Sequence, residues 1–314
     1  MLSPVSIHAF LPPARFEVDL YLQPVGDERR SLYAAADCPP EPVDLRRLLA
    51  RGDKTFFIPR DQAQEFNERL MQLLASDAEI SGLARLEIAK EASKATFAEA
   101  WCRPATDSLV ETATRLAENV IGACRSREEL GEQLSSLLEH DGSTFSHVTN
   151  VSVYAVMLAM ELGVTDEATL NEIGIAALLH DIGKRFILTD ILRKPGALTP
   201  RERIAIERHP VLGFEELCRR SDMSEGQLRM VYQHHERLDG SGYPVRAVGN
   251  EIHWMARLCA VVDVFDALTG RRSYRVPARA EEALDLLERK SGSQFDAEMV
   301  RCWKSILTQA AASA

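Results

Sequence analysis

The stretch HHERLDGSGYP, residues 234–244, sets the frame for the rest of the chain. Adjacent helical positions point about 100° apart, so His234 and His235 cannot both face an apolar core from a regular helix. Gly240 and Gly242, then Tyr243 and Pro244, break regular structure and let backbone come close to a ligand. The pattern predicts a helix end running into a shaped loop with two nitrogen donors at its mouth. For the two histidines alone, a solvated surface turn explains the pattern equally well, and the remaining sequence has to decide.

Composition narrows the field. A length of 314 residues suffices for two domains and a sizeable core, and 46% hydrophobic content suits a globular chain. The formal net charge of -10 argues against a broad basic face for a nucleic-acid polymer, while leaving room for a small anionic ligand held by local positive charge. Cys38, Cys102, Cys124, Cys218, Cys259 and Cys302 are scattered without a CxxC pair, as expected of reduced thiols. No apolar run reaches membrane-spanning length, and the first residues lack the features of a secretory leader. The expected setting is the cytoplasm.

The expected fold is mainly α, with a small α+β domain over residues 1–75, linker helices over 76–124 and an all-α domain over 125–314. Phe16, Val18, Leu20 and Leu22 alternate with polar neighbours, predicting a half-buried strand. Ser31–Ala35 and Thr55–Ile58 predict two more, with a short helix over Val43–Ala50 and another from Asp61 to about Ala75. Leu109, Ala113, Leu116, Val120 and Ile121 recur at helical spacing, which fits either a core face or a dimer contact. Beyond Thr144 helix follows helix: Val148–Leu162, Asp166–Leu179, Ile252–Leu268, Pro277–Lys290 and Asp296–Ile306. Thr199 with Glu202, and Ser224 with Gln227, predict capping boxes.

Chemistry concentrates in this second half. His147 starts an apolar helix, His180 and Asp181 end the run GIAALLHDIGK, His209 ends RERIAIERHP, and His234 and His235 open the loop. Asp263 lies in CAVVDVFDAL, a run too apolar for an uncompensated carboxylate. Asp263 and Asp266 share a helix face, so one can bind a metal while the other supports it. Singly, each histidine is explained by packing. Together, five histidines and two aspartates around one helical core point to metal, and imidazole with carboxylate suits iron, manganese, zinc or nickel. Seven ligands exceed the three or four of one catalytic ion, implying two ions and a bridging carboxylate.

These motifs resemble the HD phosphohydrolase superfamily. His180-Asp181 looks like its paired signature, HHERLDGSGYP is similar to the HHExxDGxGYP signature of the HD-GYP subfamily, and AVVDVFDALTGRRSYR resembles that subfamily's later motif. The resemblance covers roughly residues 125–310, with the motifs in family order. It implies a five-helix core extended by further helices, and hydrolysis of cyclic dinucleotides, chiefly cyclic di-GMP. It implies one ion on His147, His180, Asp181 and Asp263, and a second on Asp181, His209, His234 and His235. Both ions are expected to be divalent, iron or manganese first and zinc or nickel as alternatives.

By the same resemblance Lys184 contacts the scissile phosphate, Arg272 and Arg275 contact phosphate or guanine, and Tyr243 shapes the pocket. Asp181 and Lys184 are the expected catalytic pair. Two positions depart from the family. Ser143 stands where some members carry a glutamate for a third ion, so two ions are expected, and Ser273 replaces a usual proline. The implied reaction opens cyclic di-GMP to linear pGpG, GMP, or both. Two other readings stay open: a metal-bound cyclic-dinucleotide receptor with little turnover, and a hydrolase of the mixed guanine-adenine ring. The N-terminal block is expected to meet a protein partner or a signal, and the linker helices to favour a homodimer.

Overall fold

The computed structural model describes residues 2–10, 16–24, 26, 29–53, 55–74, 82–102, 106–125, 130–138, 144–270 and 277–313. The chain divides into two compact units, Met1–Thr96 and Phe97–Ala314. The residues expected to link two domains are therefore shared between them. Helix α3 (Gly82–Cys102) begins in the first unit, and α4 (Asp107–Cys124) belongs to the second.

The first unit carries a four-stranded antiparallel sheet of β1 (Leu2–Ser6), β2 (Leu20–Leu22), β3 (Ser31–Ala34) and β4 (Thr55–Pro59), in the order β1-β4-β2-β3. Helices α1 (Pro42–Ala50) and α2 (Ala63–Leu74) complete it. Phe10 and Phe16 meet with ring centroids 5.3 Å apart, and Phe10 and Phe56 at 5.6 Å. The strand expected from Phe16 onward is shorter than its alternation suggests. Phe16 and Val18 are buried, but the Asp19 N–H donates to the Gln62 side chain at 3.1 Å rather than to a neighbouring strand. The Asp19 carboxylate accepts from the Ala36 N–H at 2.9 Å, so the ladder starts only at Leu20. Strand β1 carried no clear alternation and was not anticipated.

The second unit is helical. Beyond residue 100 its described residues form only isolated bridges, Asp239 to Val248 and Ser291 to Phe295. Helix α6 (Thr144–Glu161) runs through its centre, packing on α4, α7 (Glu167–Leu179), α12 (Trp254–Thr269) and α14 (Ala297–Ser313). Residues Val151, Val153, Ala155, Val156, Leu158 and Ala159 are all buried, which explains why this stretch is apolar on most faces. Small side chains permit the close packing: a Cβ on Gly174 would stand 3.0 Å from the Ala117 Cβ. The Ser152 hydroxyl donates to the Gly174 carbonyl at 2.9 Å, tying α6 to α7. The stripe on α4 proves to be a core face, set against α6 and α7.

Both expected capping boxes form, Thr199 with Glu202 at the start of α9 (Pro200–Glu207) and Ser224 with Gln227 at the start of α11 (Glu225–Gln233). Asp166 caps α7 from outside, accepting the Thr169 N–H at 2.8 Å. One boundary differs. His209 opens α10 (His209–Leu217) rather than closing the helix before it. Pro210 has no N–H to continue α9, and as a second helical residue it suits the start of a new helix. The remaining short elements are α5 (Leu130–Leu138), the 3-10 turns Ile182–Phe186 and Gly249–Glu251, α8 (Thr189–Leu192) and α13 (Ala280–Arg289). None of the described helices is long and apolar enough to cross a membrane.

Under the centre of the unit Tyr154, Phe265 and Trp303 form an aromatic cluster from α6, α12 and α14, with centroids 5.1–5.8 Å apart. Trp303 is fully buried. Its truncation, Trp303→Ala, should cost about 3–5 kcal/mol. Urea unfolding followed by circular dichroism checks this as a lowered midpoint for the helical unit.

Candidate metal centre

Helix ends deliver the histidines. His180 caps the C-terminus of α7, His234 caps the C-terminus of α11, His209 opens α10 directly after α9, and His147 lies in the first turns of α6. Asp181 follows His180, and Asp263 projects from the middle of α12. The donor atoms of Asp181, His209, His234 and His235 lie within 4.8 Å of one another, as do those of His147, His180 and Asp263. All seven residues named from the sequence therefore meet in two adjoining groups.

Asp181 joins them. Its Oδ2 lies 3.4 Å from His180 Nε2 and 3.7 Å from His147 Nε2, while its Oδ1 lies 3.2 Å from His209 Nε2. Asp263 Oδ1 is 3.2 Å from His147 Nε2, and its Oδ2 is 3.8 Å from His235 Nδ1.

Ring orientation follows from the backbone. His180 Nδ1 meets the Ala177 carbonyl at 2.7 Å, His209 Nδ1 the Ile206 carbonyl at 2.8 Å, and His234 Nδ1 the Val231 carbonyl at 2.9 Å. A carbonyl can only accept, so each Nδ1 carries the proton and each Nε2 turns a lone pair inward. As a result His209 Nε2 and His234 Nε2 face each other at 3.1 Å with two lone pairs between them. His180 Nε2 and Asp181 Oδ1 are buried and make no hydrogen bond. Facing lone pairs and unpartnered buried acceptors are costly unless a cation satisfies them. The donor set thus fits a metal, and its mix of imidazole and carboxylate suits a first-row divalent ion.

Electrostatics agree. Burial opposes the charge on Asp181, yet the Lys184 ammonium beside it holds its carboxyl well below the usual range. Burial likewise opposes Asp263, and the contact with His147 outweighs it. Burial also works against a charged His147, but Asp263 and Asp266 raise that ring to about 10. Burial first, then neighbouring imidazoles, pushes His234 well down, and burial does the same to His235, so both stay neutral donors.

Of the substrate residues named from the sequence, Lys184 sits in the 3-10 turn after α7 with its Nζ 2.5 Å from Asp181 Oδ2. The Tyr243 ring lies 4.7 Å from the His235 ring at 33°. Burial, then Asp263, pushes the Tyr243 phenol upward, so it remains a hydrogen-bond donor. Arg272, Arg275 and Ser273 fall outside the described residues, as do Ser143 and the nearby His140 and Asp141.

Two supports escaped the sequence reading. Glu236 is buried and clamps the loop, accepting from Val245 N–H at 2.8 Å and Ala247 N–H at 3.1 Å. In the sequence it is a charge beside two histidines and the glutamate of the HHExxDGxGYP signature, with nothing to show what it holds. Asn150 donates to Asp266 Oδ1 at 2.9 Å, from an α6 run that reads as plain core. Glycine matters at two points. A Cβ on Gly242 would stand 2.5 Å from the His235 carbonyl oxygen, and one on Gly183 would collide with the His209 carbonyl and stand 2.6 Å from Gly213 N.

Comparison with known proteins places this geometry. A family model described as HD domain matches residues 125–299. The "Cyclic di-GMP phosphodiesterase response regulator RpfG" of Xanthomonas campestris pv. campestris is 36% identical over 205 residues, 63% of this chain and 54% of that protein. A "Cyclic di-GMP phosphodiesterase" of Thermotoga maritima is 39% identical over 177 residues, 56% of this chain and 48% of that protein. The chain thus spans about half the length of the curated relatives it matches. Among solved structures, an HDG"Y"P protein of Bdellovibrio bacteriovorus shares the fold, with a TM-score of 0.70 at 17% identity, over 98% of this chain and 100% of that one.

The crowding at Gly183 has a measurable consequence. Gly183→Ala should destabilise the helical unit by about 1–3 kcal/mol by forcing the 3-10 turn off α10. Urea unfolding checks this; an unchanged midpoint would show that the turn can move away without loss.

Proposed function

Because this chain belongs to the HD domain family, we propose that it is a metal-dependent phosphodiesterase that opens cyclic di-GMP. The reading puts one divalent ion on His147, His180, Asp181 and Asp263, and a second on Asp181, His209, His234 and His235. Iron and manganese are the first choices. The observation that carries the reading is Asp181, with one buried oxygen toward each histidine group. The relatives' names support the substrate.

When bound, a pair of divalent ions supplies a water activated near neutral pH and neutralises charge building on the phosphate. The chain's own groups then do the positioning. Three backbone carbonyls fix the His180, His209 and His234 rings, so no reorganisation is needed to present their lone pairs. Lys184, partly exposed beside Asp181, brings a compact positive charge to a non-bridging phosphate oxygen. Tyr243, held against His235 by the Glu236-clamped loop, offers a hydroxyl donor at the rim. Arg272 and Arg275 complete the anion site by resemblance. Opening the ring breaks one P–O3′ bond by water and yields linear pGpG, and a second round yields GMP.

The first unit contributes no group of His, Cys, Asp and Glu fit for a metal among its described residues. In this reading it meets a signal or a protein partner. Among the described residues Cys38, Cys124, Cys218, Cys259 and Cys302 are free thiols, which suits a cytoplasmic setting.

Anaerobically purified full chain with its metal content measured should convert cyclic di-GMP, followed chromatographically against the mixed guanine-adenine ring. Asp181→Ala should lower the rate by on the order of 10³-fold, and Lys184→Ala by roughly 10²-fold. Tight binding of the ring without product, or an active Asp181→Ala, would overturn the reading.

Ion uptake should depend on pH with a definite sign. His147 holds a proton up to about 10 and must lose it to coordinate. Uptake of Mn²⁺ by chelator-treated protein should therefore release a proton, and affinity should rise about tenfold per pH unit between roughly pH 7 and 9. Calorimetric titration in buffers of different ionisation enthalpy counts the protons.

A further inference from the structure

Four of the five histidines of the centre have a hydrogen-bond partner at Nδ1, and one of these four is held differently from the other three. His180, His209 and His234 each give their Nδ1 proton to a carbonyl three residues earlier, Ala177, Ile206 and Val231. Those carbonyls belong to the last turns of α7, α9 and α11, where helices run out of backbone donors. The ring caps its own helix, and the cap aims the ring. His147 has no such recourse. It lies in the first turns of α6, and at a helix start the orphaned backbone groups are N–H, while the carbonyls are engaged by the turns that follow.

Its Nδ1 instead meets Asp266 Oδ2 at 2.7 Å, across from α12. Asp266 is in turn held by Asn150, whose Nδ2 donates to Asp266 Oδ1 at 2.9 Å and to the Leu137 carbonyl at 3.1 Å. All three side chains are buried. Asn150 stands three residues after His147 on α6, and Asp266 three after Asp263 on α12, so two helical turns close a loop of contacts around one ring.

We infer that Asp266, steadied by Asn150, is the positioning residue for one of the two ions, the one His147 shares with His180 and Asp263, and is without effect on the ion of His209, His234 and His235. A carboxylate on Nδ1 does two things a carbonyl does less well. It fixes the tautomer that leaves Nε2 for the ion, and its charge makes Nε2 a stronger donor. The inference rests on the two-ion reading above.

The test reads ion affinity, not turnover. Chelator-treated full chain is titrated with Mn²⁺ by calorimetry at fixed pH. His180→Ala and His209→Ala first identify which binding step belongs to which group. Asp266→Asn keeps the size and an acceptor oxygen for His147 Nδ1 but removes the charge. This variant should weaken the His147-side step by about 10–100-fold and leave the other step unchanged. Asn150→Leu should weaken the same step by less. Should Asp266→Asn fail to fold by circular dichroism, Asn150→Leu carries the test alone.

Equal weakening of both steps, or no change in either, would overturn the inference while leaving the two-ion reading intact. Uptake of fewer than two ions by the unsubstituted chain would overturn that reading and this inference with it.

Discussion

The centre depends on one buried carboxylate. Asp181 is 1% exposed, and a charge withdrawn from water at that depth costs several kcal/mol unless partners replace the solvent. Its surroundings come from every side: Lys184 from its own segment compensates part of the charge, and the Nε2 atoms of His180, of His147 on α6 and of His209 on α10 crowd around it, where a bound ion would complete the compensation. None of these could stand where it does if α6, α7, α10 and α12 were not packed to close tolerance. The helical core therefore serves the site directly. The 3-10 turn carrying Lys184 lies on α10 only because residue 183 has no side chain, and that contact brings the Asp181 side and the His209 side together.

Helix polarity adds to the side chains. The C-terminal ends of α7 and α11 both arrive at the centre, each bearing roughly half a negative charge from its aligned peptides. The junction of α9 and α10 at His209 is neutral by comparison, since a C-terminus and an N-terminus meet there. The N-terminal turns of α6 carry the opposite sign, and it is on that side that the carboxylates of Asp263 and Asp266 face His147. Acidic side chains and helix ends are thus distributed so that no side of the centre is left positive.

Much of this was legible beforehand because it is written locally. The His-Asp pair, the double histidine with its glycines and the Asp263–Asp266 spacing each occupy a few consecutive residues, and both capping boxes read correctly from residues three apart. Helix spacing alone puts Asp263 and Asp266 on one face, but it does not say that Asp266 meets the ring of His147 from another helix. What stayed hidden depends on partners distant in sequence. Nothing near Asp19 says that Gln62 will take its N–H and shorten a strand. Nothing near Glu236 says that both of its oxygens will be spent on the backbone of Val245 and Ala247. His209 was misplaced by a boundary, because a proline that ends one helix can equally begin the next.

The hidden partners share a role that explains why they are polar in an apolar setting. Glu236, Asn150 and Asp266 are each at most 2% exposed. A buried polar group is retained at a cost unless its hydrogen bonds are fully used, and full use leaves it a single orientation. Glu236 spends its oxygens on the loop that carries Tyr243, Asp266 spends one oxygen on the His147 ring, and the Asn150 amide holds the other. Apolar side chains of the same size would pack as well and would fix no ring or loop in direction. The polar residues beneath the centre therefore supply what its packing cannot: direction for donors whose usefulness lies in where their lone pairs point.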